Sequence, residues 1–508
     1  MSSVLDDVVD EVEPAPNIVS VMAGTKPSLL LSIDVGTSGV RAALFDERGS
    51  EVQGAQVRSR RSAAVSDFAE LDPDQLVDEV VKTVDELLTY HFHSAAQIEF
   101  IAISAFWHSL IGVDGAGHHT TPVLTWADTR AAEFANQLRL DFNESEIHAR
   151  TGCRFHPSYW PAKLHRLRSE HNEKFRNTQC WLGFAEYLCL RLFGENSTSI
   201  SIASATGLFN QRDCDWDWDL VEQLGISPDT LPTIKPQTNA RLSDDFALRW
   251  PALAEARLVT IVGDGAANNI GAGCSTKDKI ALMVGTSGAM RVVFAGDPPD
   301  NLAPGLWSYR ACGRRVVVGG ALSDGGGLVQ WINESLNLAG DRQHEIAVLE
   351  PDSHGLTVLP FWSGERSTGW RSEARGGIFG LRQQTTPVEI ARAVLESIAY
   401  RFALITRALD QIAPNATIAA SGNALRSSPA WLQIIADVLG RELLLGGTAE
   451  ASSRGAALLA LEAVGKIGNI EEETFVVDQV FEPDMTRHAR YRQGLARQEE
   501  LYERIYGF

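Results

Sequence analysis

Basic residues are outnumbered in this chain. Across 508 residues, 45 Lys and Arg stand against 65 Asp and Glu, a formal net charge of −20. A surface of that sign argues against nucleic acid as a main partner. It leaves room for a nucleotide, which needs only local positive charge and Mg²⁺. Cysteine is sparse as well. The six, at 153, 180, 189, 214, 274 and 312, never form a CxxC pair, so neither a zinc ribbon nor a disulfide framework is signalled. Reduced, buried thiols are expected. No apolar run reaches the roughly 18 residues of a membrane span, and the N-terminus lacks the basic-then-apolar pattern of a secretory signal. A cytoplasmic protein without membrane or nucleic-acid partners is the expectation. Two nucleotide signatures are missing too. Gly465-Lys466 is followed by Ile467, not Ser or Thr, so there is no Walker A loop. Gly271-Ala272-Gly273 lacks the third glycine of a dinucleotide fingerprint.

What is present reads as ordinary globular protein, 44% apolar and 22% charged. The length calls for two or more domains, because single cores rarely grow past about 250–300 residues. Residues 1–27 are acidic and contain Pro14 and Pro16, and a disordered tail is expected there.

One motif occurs twice. Leu29 to Val35 is an apolar run with Asp34 in it, breaking into Gly36-Thr37-Ser38-Gly39. Ile280 to Val284 breaks into Gly285-Thr286-Ser287-Gly288. Each is followed by a further apolar run, so both read as β-hairpins. Glycine lets backbone N–H groups close on a ligand, and the Thr and Ser hydroxyls add donors, which suits a phosphate. A hairpin turn can use the same residues without binding anything, but two copies in two similar halves suggest a nucleotide clamped between related domains. The copies differ at one place: Asp34 in the first stands where Met283 stands in the second. Only the first half offers a carboxylate to a metal.

Other elements frame these hairpins. Asp72-Pro73 opens a helix. Thr386-Pro387-Val388-Glu389 is a capping box before a helix running to about Leu409. Ser428-Pro429 starts a helix that stops at Gly440, and residues 485–506 look like a terminal surface helix. Val316 to Val318 runs into a glycine-rich loop from Gly319 to Gly327, followed by a helix with Gln330 and Trp331. Two buried strands, Phe100 to Ser104 and Leu258 to Val262, lead into the loops carrying His108 and Asp264. Ligands in open α/β sheets sit at such carboxyl ends.

Phosphoryl transfer to a hydroxyl needs a metal-held phosphate and a group that accepts the hydroxyl proton. Asp34 would take the metal and Asp264 the proton, although an Asp after a strand also commonly caps a helix. Trp107-His108 and the run Trp126-Ala127-Asp128-Thr129-Arg130 bring aromatic faces, a carboxylate and a guanidinium. Those groups suit a polyol or sugar-acid pocket. Each is unspecific alone: His108 could be a satisfied structural residue, Trp126 a core residue, and Arg130 a brace for the Asp128 loop.

In order along the chain, Asp34 to Ser38, Trp126 to Arg130, Val262 to Gly265, Val284 to Gly288, Gly364-Glu365-Arg366 and Trp431 to Asp437 resemble the FGGY carbohydrate kinases. The resemblance spans about residues 29–465. It implies two ribonuclease H-like, actin-like ATPase domains of α/β class, with ATP and sugar in the cleft between them. Residues 28–275 would be the N-terminal domain and 276–470 the C-terminal domain, with an extension at 471–508. By motif, Asp264 is similar to the family's general base. Thr37 and Ser38 match the first phosphate loop, and Gly285 and Thr286 the second. Gly326 and Gln330 match a nucleotide-contacting segment, and Gly422 with Asn423 the adenosine segment. The nearest likeness is to the gluconokinase branch, so D-gluconate is the expected acceptor, with ATP and Mg²⁺ as cofactors. The resemblance leaves room for a homodimer. Two departures stand out: Asn423 replaces a usual glycine, and Trp107 is bulkier than the usual residue before the histidine. The rival readings are a kinase for xylulose, ribulose or glycerol, an actin-like ATPase switch, and a sugar sensor.

Overall fold

The computed structural model describes residues 28–61, 70–338 and 343–507; the tail expected at 1–27 lies outside them. The first sheet is built from β1 (Leu29–Gly36), β2 (Gly39–Phe45), β3 (Glu51–Arg58), β4 (Ile98–Ala105) and β5 (Arg257–Gly263), in the spatial order β5-β4-β1-β2-β3. The second holds β6 (Lys279–Val284), β7 (Gly288–Ala295), β8 (Trp307–Cys312), β9 (Arg315–Leu322), β10 (Thr417–Ser421), β11 (Leu443–Gly446) and β12 (Val477–Phe481). Its order is β8-β9-β7-β6-β10-β11-β12.

The same unit recurs in both. β1 pairs antiparallel with its hairpin partner β2 and parallel with β4. β6 does the same with β7 and β10. This is the expected α/β, ribonuclease H-like arrangement, present twice. The tips differ slightly. Gly36 pairs with Gly39 across a two-residue turn, whereas Val284 pairs with Gly288 across three residues.

β1 is buried from Leu29 to Val35 because both faces are covered. The helix Pro73–Tyr90 lies against β2 and β3, and the helix Ala451–Ala463 against β1, β4 and β5. The sequence reading places Ala451–Ala463 in the second unit; its Ala456 to Leu461 lie in the first core. There it meets the helix Asp264–Gly271 so closely that a Cβ on Gly455 would stand 1.8 Å from the Ala267 carbonyl oxygen. The second core gathers around β6, β7 and β9 and the helices Pro387–Leu409 and Pro429–Leu439.

The helix starts follow their caps. Asp72 accepts the Gln75 amide at 2.9 Å, and Thr386 and Glu389 close a reciprocal capping box. Gly440 ends its helix in the left-handed region. The helix Met485–Tyr506 is exposed on one side and buries Tyr491 and Leu495 on the other. One boundary differs from expectation. The strand at Val316 runs on to Leu322 because Gly319 to Leu322 pair with Gly288 to Arg291 of β7, and Ile405 of the long helix packs where a side chain on Gly320 would sit. All six cysteines are free, three of them buried.

Candidate active site

The hairpin tips of both sheets open on one cleft of about 1170 Å³. Thr37 and Ser38 line it from the first tip, and Gly285 and Thr286 from the second. The helix Gly326–Ser335 starts beside the second tip, where the Gly326 amide donates to the Gly285 carbonyl at 2.8 Å. Gln330 on that helix and the turn at Gly422-Asn423 also face the cleft, next to apolar Val329, Ile332, Val394 and Leu395. An apolar slot flanked by a few polar groups suits a planar base. The positive φ of this turn falls on Gly422 (103°), while Asn423 begins the short helix Asn423–Arg426. The usual second glycine is therefore not demanded by backbone conformation at 423.

Asp264 stands where β5 ends, as the first residue of the helix Asp264–Gly271; the N-cap is Gly263, and no side chain caps this helix. One carboxylate oxygen accepts the Gly265 amide at 2.7 Å. Burial pushes its pKa up to about 6, with Arg291 opposing and the charge of Asp34 adding to the rise. A carboxylate poised there is a competent proton acceptor near neutral pH.

Asp34 is buried beneath the first tip. Its two oxygens accept Ser104 Oγ and Arg41 Nη1, each at 2.8 Å. Burial raises its pKa against the pull of Arg41. A hard cation would suit this oxygen donor and would relieve its repulsion with Asp264. Met283, the matching residue of the second hairpin, offers only a soft thioether.

The other end of the cleft is aromatic. Trp107 lies across the Asp264 loop, and a Cβ on Gly263 or Gly265 would come within 1.8 or 2.5 Å of its ring. The two glycines flanking Asp264 make room for the bulk of Trp107, and its indole N–H donates to the Ser201 carbonyl at 3.1 Å.

His108 has a left-handed backbone, φ 66°, a strained state for a residue with a side chain. Lys163 Nζ holds its carbonyl at 2.6 Å, and its Nδ1 lies 2.8 Å from the Ala205 carbonyl. A carbonyl partner makes Nδ1 the donor and leaves Nε2 as an acceptor for a hydroxyl. Burial, then the charge of Arg366, holds the ring neutral, with its pKa well below the usual value.

Sequence reasoning missed several residues here. Trp307 and Tyr309 of β8 stack with centroids 4.2 Å apart and wall the pocket from the second domain. Tyr309 meets Tyr159 oxygen to oxygen at 2.5 Å. Arg291 of β7 and Arg366 also line the cleft, and Arg366 lies 5.3 Å over the ring of Trp126. Arg366 belongs to the Gly364-Glu365-Arg366 run and Arg291 follows the second tip by three residues; nothing local marked either as facing a ligand.

Asp128 and Arg130 are not brought into the cleft. Arg130 forks onto Asp128, with bonds of 2.9 and 2.7 Å, and reaches Glu70 as well. Asp128 is buried beneath that pair, beside Arg166. The guanidinium braces its own loop, because the nearest carboxylate is two residues away. Only Trp126 of that run faces the cleft.

Comparison with known proteins fits this geometry. Residues 29–271 match the model of the FGGY family of carbohydrate kinases, N-terminal domain, and residues 280–464 its C-terminal domain. The chain is 30% identical to a gluconokinase of Bacillus subtilis (strain 168) over 474 residues, covering 89% of this chain and 91% of that protein. A gluconate kinase from Lactobacillus acidophilus superposes with a TM-score of 0.84 at 26% identity, over 94% of this chain and 98% of that one. A xylulose kinase from the same organism gives the same figures. Family members use ATP with a divalent metal. With both halves of the family pattern matched in order around one cleft, the chain belongs to the FGGY family of carbohydrate kinases and is an ATP-dependent sugar kinase.

Proposed function

We propose that the chain moves the γ-phosphoryl group of MgATP onto the 6-hydroxyl of D-gluconate, giving 6-phosphogluconate and ADP. The observation that carries the phosphotransfer is Asp264, a carboxylate with a pKa of about 6 at the floor of a cleft shared by two phosphate-type hairpins. Gluconate is chosen on the gluconokinase relative, 30% identical over 474 residues; the solved gluconate and xylulose kinases superpose equally well and do not separate the two acceptors.

In this reading the hydroxyl lies against Asp264, which takes its proton as the O–P bond forms. Asp34 would hold Mg²⁺, directly or through water, and the ion would supply charge neutralisation on the phosphates. Thr37, Ser38, Gly285 and Thr286 cradle the phosphates. Gly326, Gln330, Gly422 and Asn423 hold the nucleoside. Trp107, His108 and Trp126 receive the sugar. Asp128 and Arg130 serve by bracing the loop that presents Trp126. Closure of the two domains on the cleft would exclude water, so that transfer outruns hydrolysis. A cytoplasmic location agrees with this chemistry.

A coupled ADP-release screen over D-gluconate, D-xylulose, D-ribulose and glycerol tests the assignment. Gluconate should give the highest kcat/KM. A clear preference for a ketose would sink the gluconate assignment and leave the phosphotransfer standing.

A further inference from the structure

Three arginines line the cleft, Arg41, Arg291 and Arg366, and no lysine does. Arg41 is committed: it pairs with Asp34 and, through Nε at 2.8 Å, with Glu450. The other two are not. Among the described residues, neither Arg291 nor Arg366 has a carboxylate within ion-pair distance. Arg291 Nε and Nη1 and Arg366 Nε are shut off from solvent without a hydrogen-bond partner. Both arginines are half-buried, and the nitrogens shut off from solvent carry a desolvation cost that a bound anion offsets.

The two arise far apart in sequence. Arg291 sits three residues past the Gly288 end of the second tip, and Arg366 rides on Trp126. They nevertheless converge on the aromatic end. Both depress the pKa of the buried His108, and each cation weighs on that end's titration: Arg366 also lowers the pKa of Arg291 and of His156. His108 and His156, held neutral, offer no charge of either sign. Asp264 is the acid of this end, and its attraction to Arg291 is felt without a direct contact. A neutral polyol would leave both guanidinium groups unanswered.

We propose that Arg291 and Arg366 form a carboxylate clamp that selects an aldonate over the matching neutral polyol or ketose. This rests on the sugar-kinase reading above and deepens its acceptor assignment. The carboxylate end of the acceptor lies between the two forks, beside Trp126, and the far hydroxyl reaches Asp264. Arginine suits the task because its planar fork holds a carboxylate through two bonds and stays charged.

The test compares D-gluconate with D-glucitol, its counterpart with an alcohol in place of the carboxylate. Wild type should prefer gluconate by about 10³-fold or more in kcat/KM, as expected where a polar site rejects an acceptor that leaves it unpaired. Arg291→Gln and Arg366→Gln should each cut that preference by about 10- to 100-fold, mainly through KM for gluconate. The readout is the gluconate-to-glucitol ratio and not the glucitol rate, because losing Arg291 also removes a charge that opposes the pKa rise of Asp264 and so touches both acceptors alike. Without nucleotide, gluconate should raise the melting temperature of wild type and not of the double variant. A retained shift with MgADP shows that the variants are folded; should Gln misfold, Arg291→Lys and Arg366→Lys replace it and should lose a smaller part of the preference.

Equal losses with gluconate and glucitol would overturn the clamp, since the arginines would then act on a part common to both acceptors. If wild type phosphorylates another aldonate better than gluconate and the variants lose that preference, the clamp stands and the gluconate assignment falls. If wild type prefers gluconate and the variants keep the preference, the assignment stands and the clamp alone falls. A wild type that prefers a neutral ketose sinks both.

Discussion

Replacing Asp264 by Asn should do two opposite things. Asn keeps the shape and an oxygen for the Gly265 amide but cannot take a proton, so kcat should fall by about 10²–10⁴, the usual contribution of a general base. Stability should rise. Burial lifts the folded-state pKa from 3.8 to about 6. A carboxylate raised in this way helps the fold fully only below its unfolded value and loses that help as pH climbs to the folded value. Above pH 6 the ionised side chain costs the wild type at most about 3 kcal/mol, at roughly 1.4 kcal/mol per pKa unit. The open cleft screens part of this. The neutral variant escapes the cost. Urea unfolding at pH 4 and pH 8 reads it: the two proteins should be close at pH 4, with the variant more stable at pH 8. The wild-type kcat/KM should also fall as pH drops through about 6, because the ionised form is the active one. An Asp264→Asn protein within a few-fold of wild-type rate, or no stability gap at pH 8, refutes the argument.

Asp34→Ala should weaken Mg²⁺-dependent turnover and leave Arg41 with Glu450 as its remaining partner, whereas Met283→Ala should alter packing alone; equal loss of Mg²⁺ dependence in a titration of both would remove the meaning of their asymmetry. Gly265→Ala places a Cβ 2.5 Å from the Trp107 ring and 3.1 Å from Arg291 Nε. It should cost about 1–3 kcal/mol by overpacking and raise KM for the sugar while sparing that for ATP. A wild-type sugar KM would show that Trp107 yields freely. Arg130→Lys keeps the charge and loses the fork onto Asp128, so thermal stability should drop by about 1–2 kcal/mol and all acceptors should suffer alike. A loss confined to gluconate would mean that Arg130 reaches the substrate after all.

What the sequence made legible was local. The hairpin strands, their tips, Asp34 and Asp264 each lie within a dozen residues of the pattern that betrays them. The caps at Asp72, Thr386 and Ser428 are decided by neighbours three positions away. What escaped depends on long closures. Trp307 and Tyr309 reach the pocket because β8 is the outer strand of its sheet, and no periodicity announces that. Arg130 looked like a ligand because of its company, yet that company, Asp128, is what occupies it. Arg291 and Arg366 looked unremarkable because the lack of a carboxylate within ion-pair distance, among the described residues, is a property of space and not of spacing. The bulk of Trp107 raised a doubt from its own residue alone, and the glycines that accommodate it lie some 150 positions away.

The helix Ala451–Ala463 gives the molecule a timetable. The helix bearing Asp264 rests on Gly455, and the first sheet keeps one face uncovered until Ala456 to Leu461 arrive. A ribosome adding about 5–20 residues per second needs roughly 10–40 s to travel from Gly271 to that segment. During that interval the second domain's strands are being made while the first domain is still waiting. The half that carries Asp264 is thus the first to begin and among the last to be finished, because its core is closed by a segment that follows the second sheet's strands β6 to β11 in the chain.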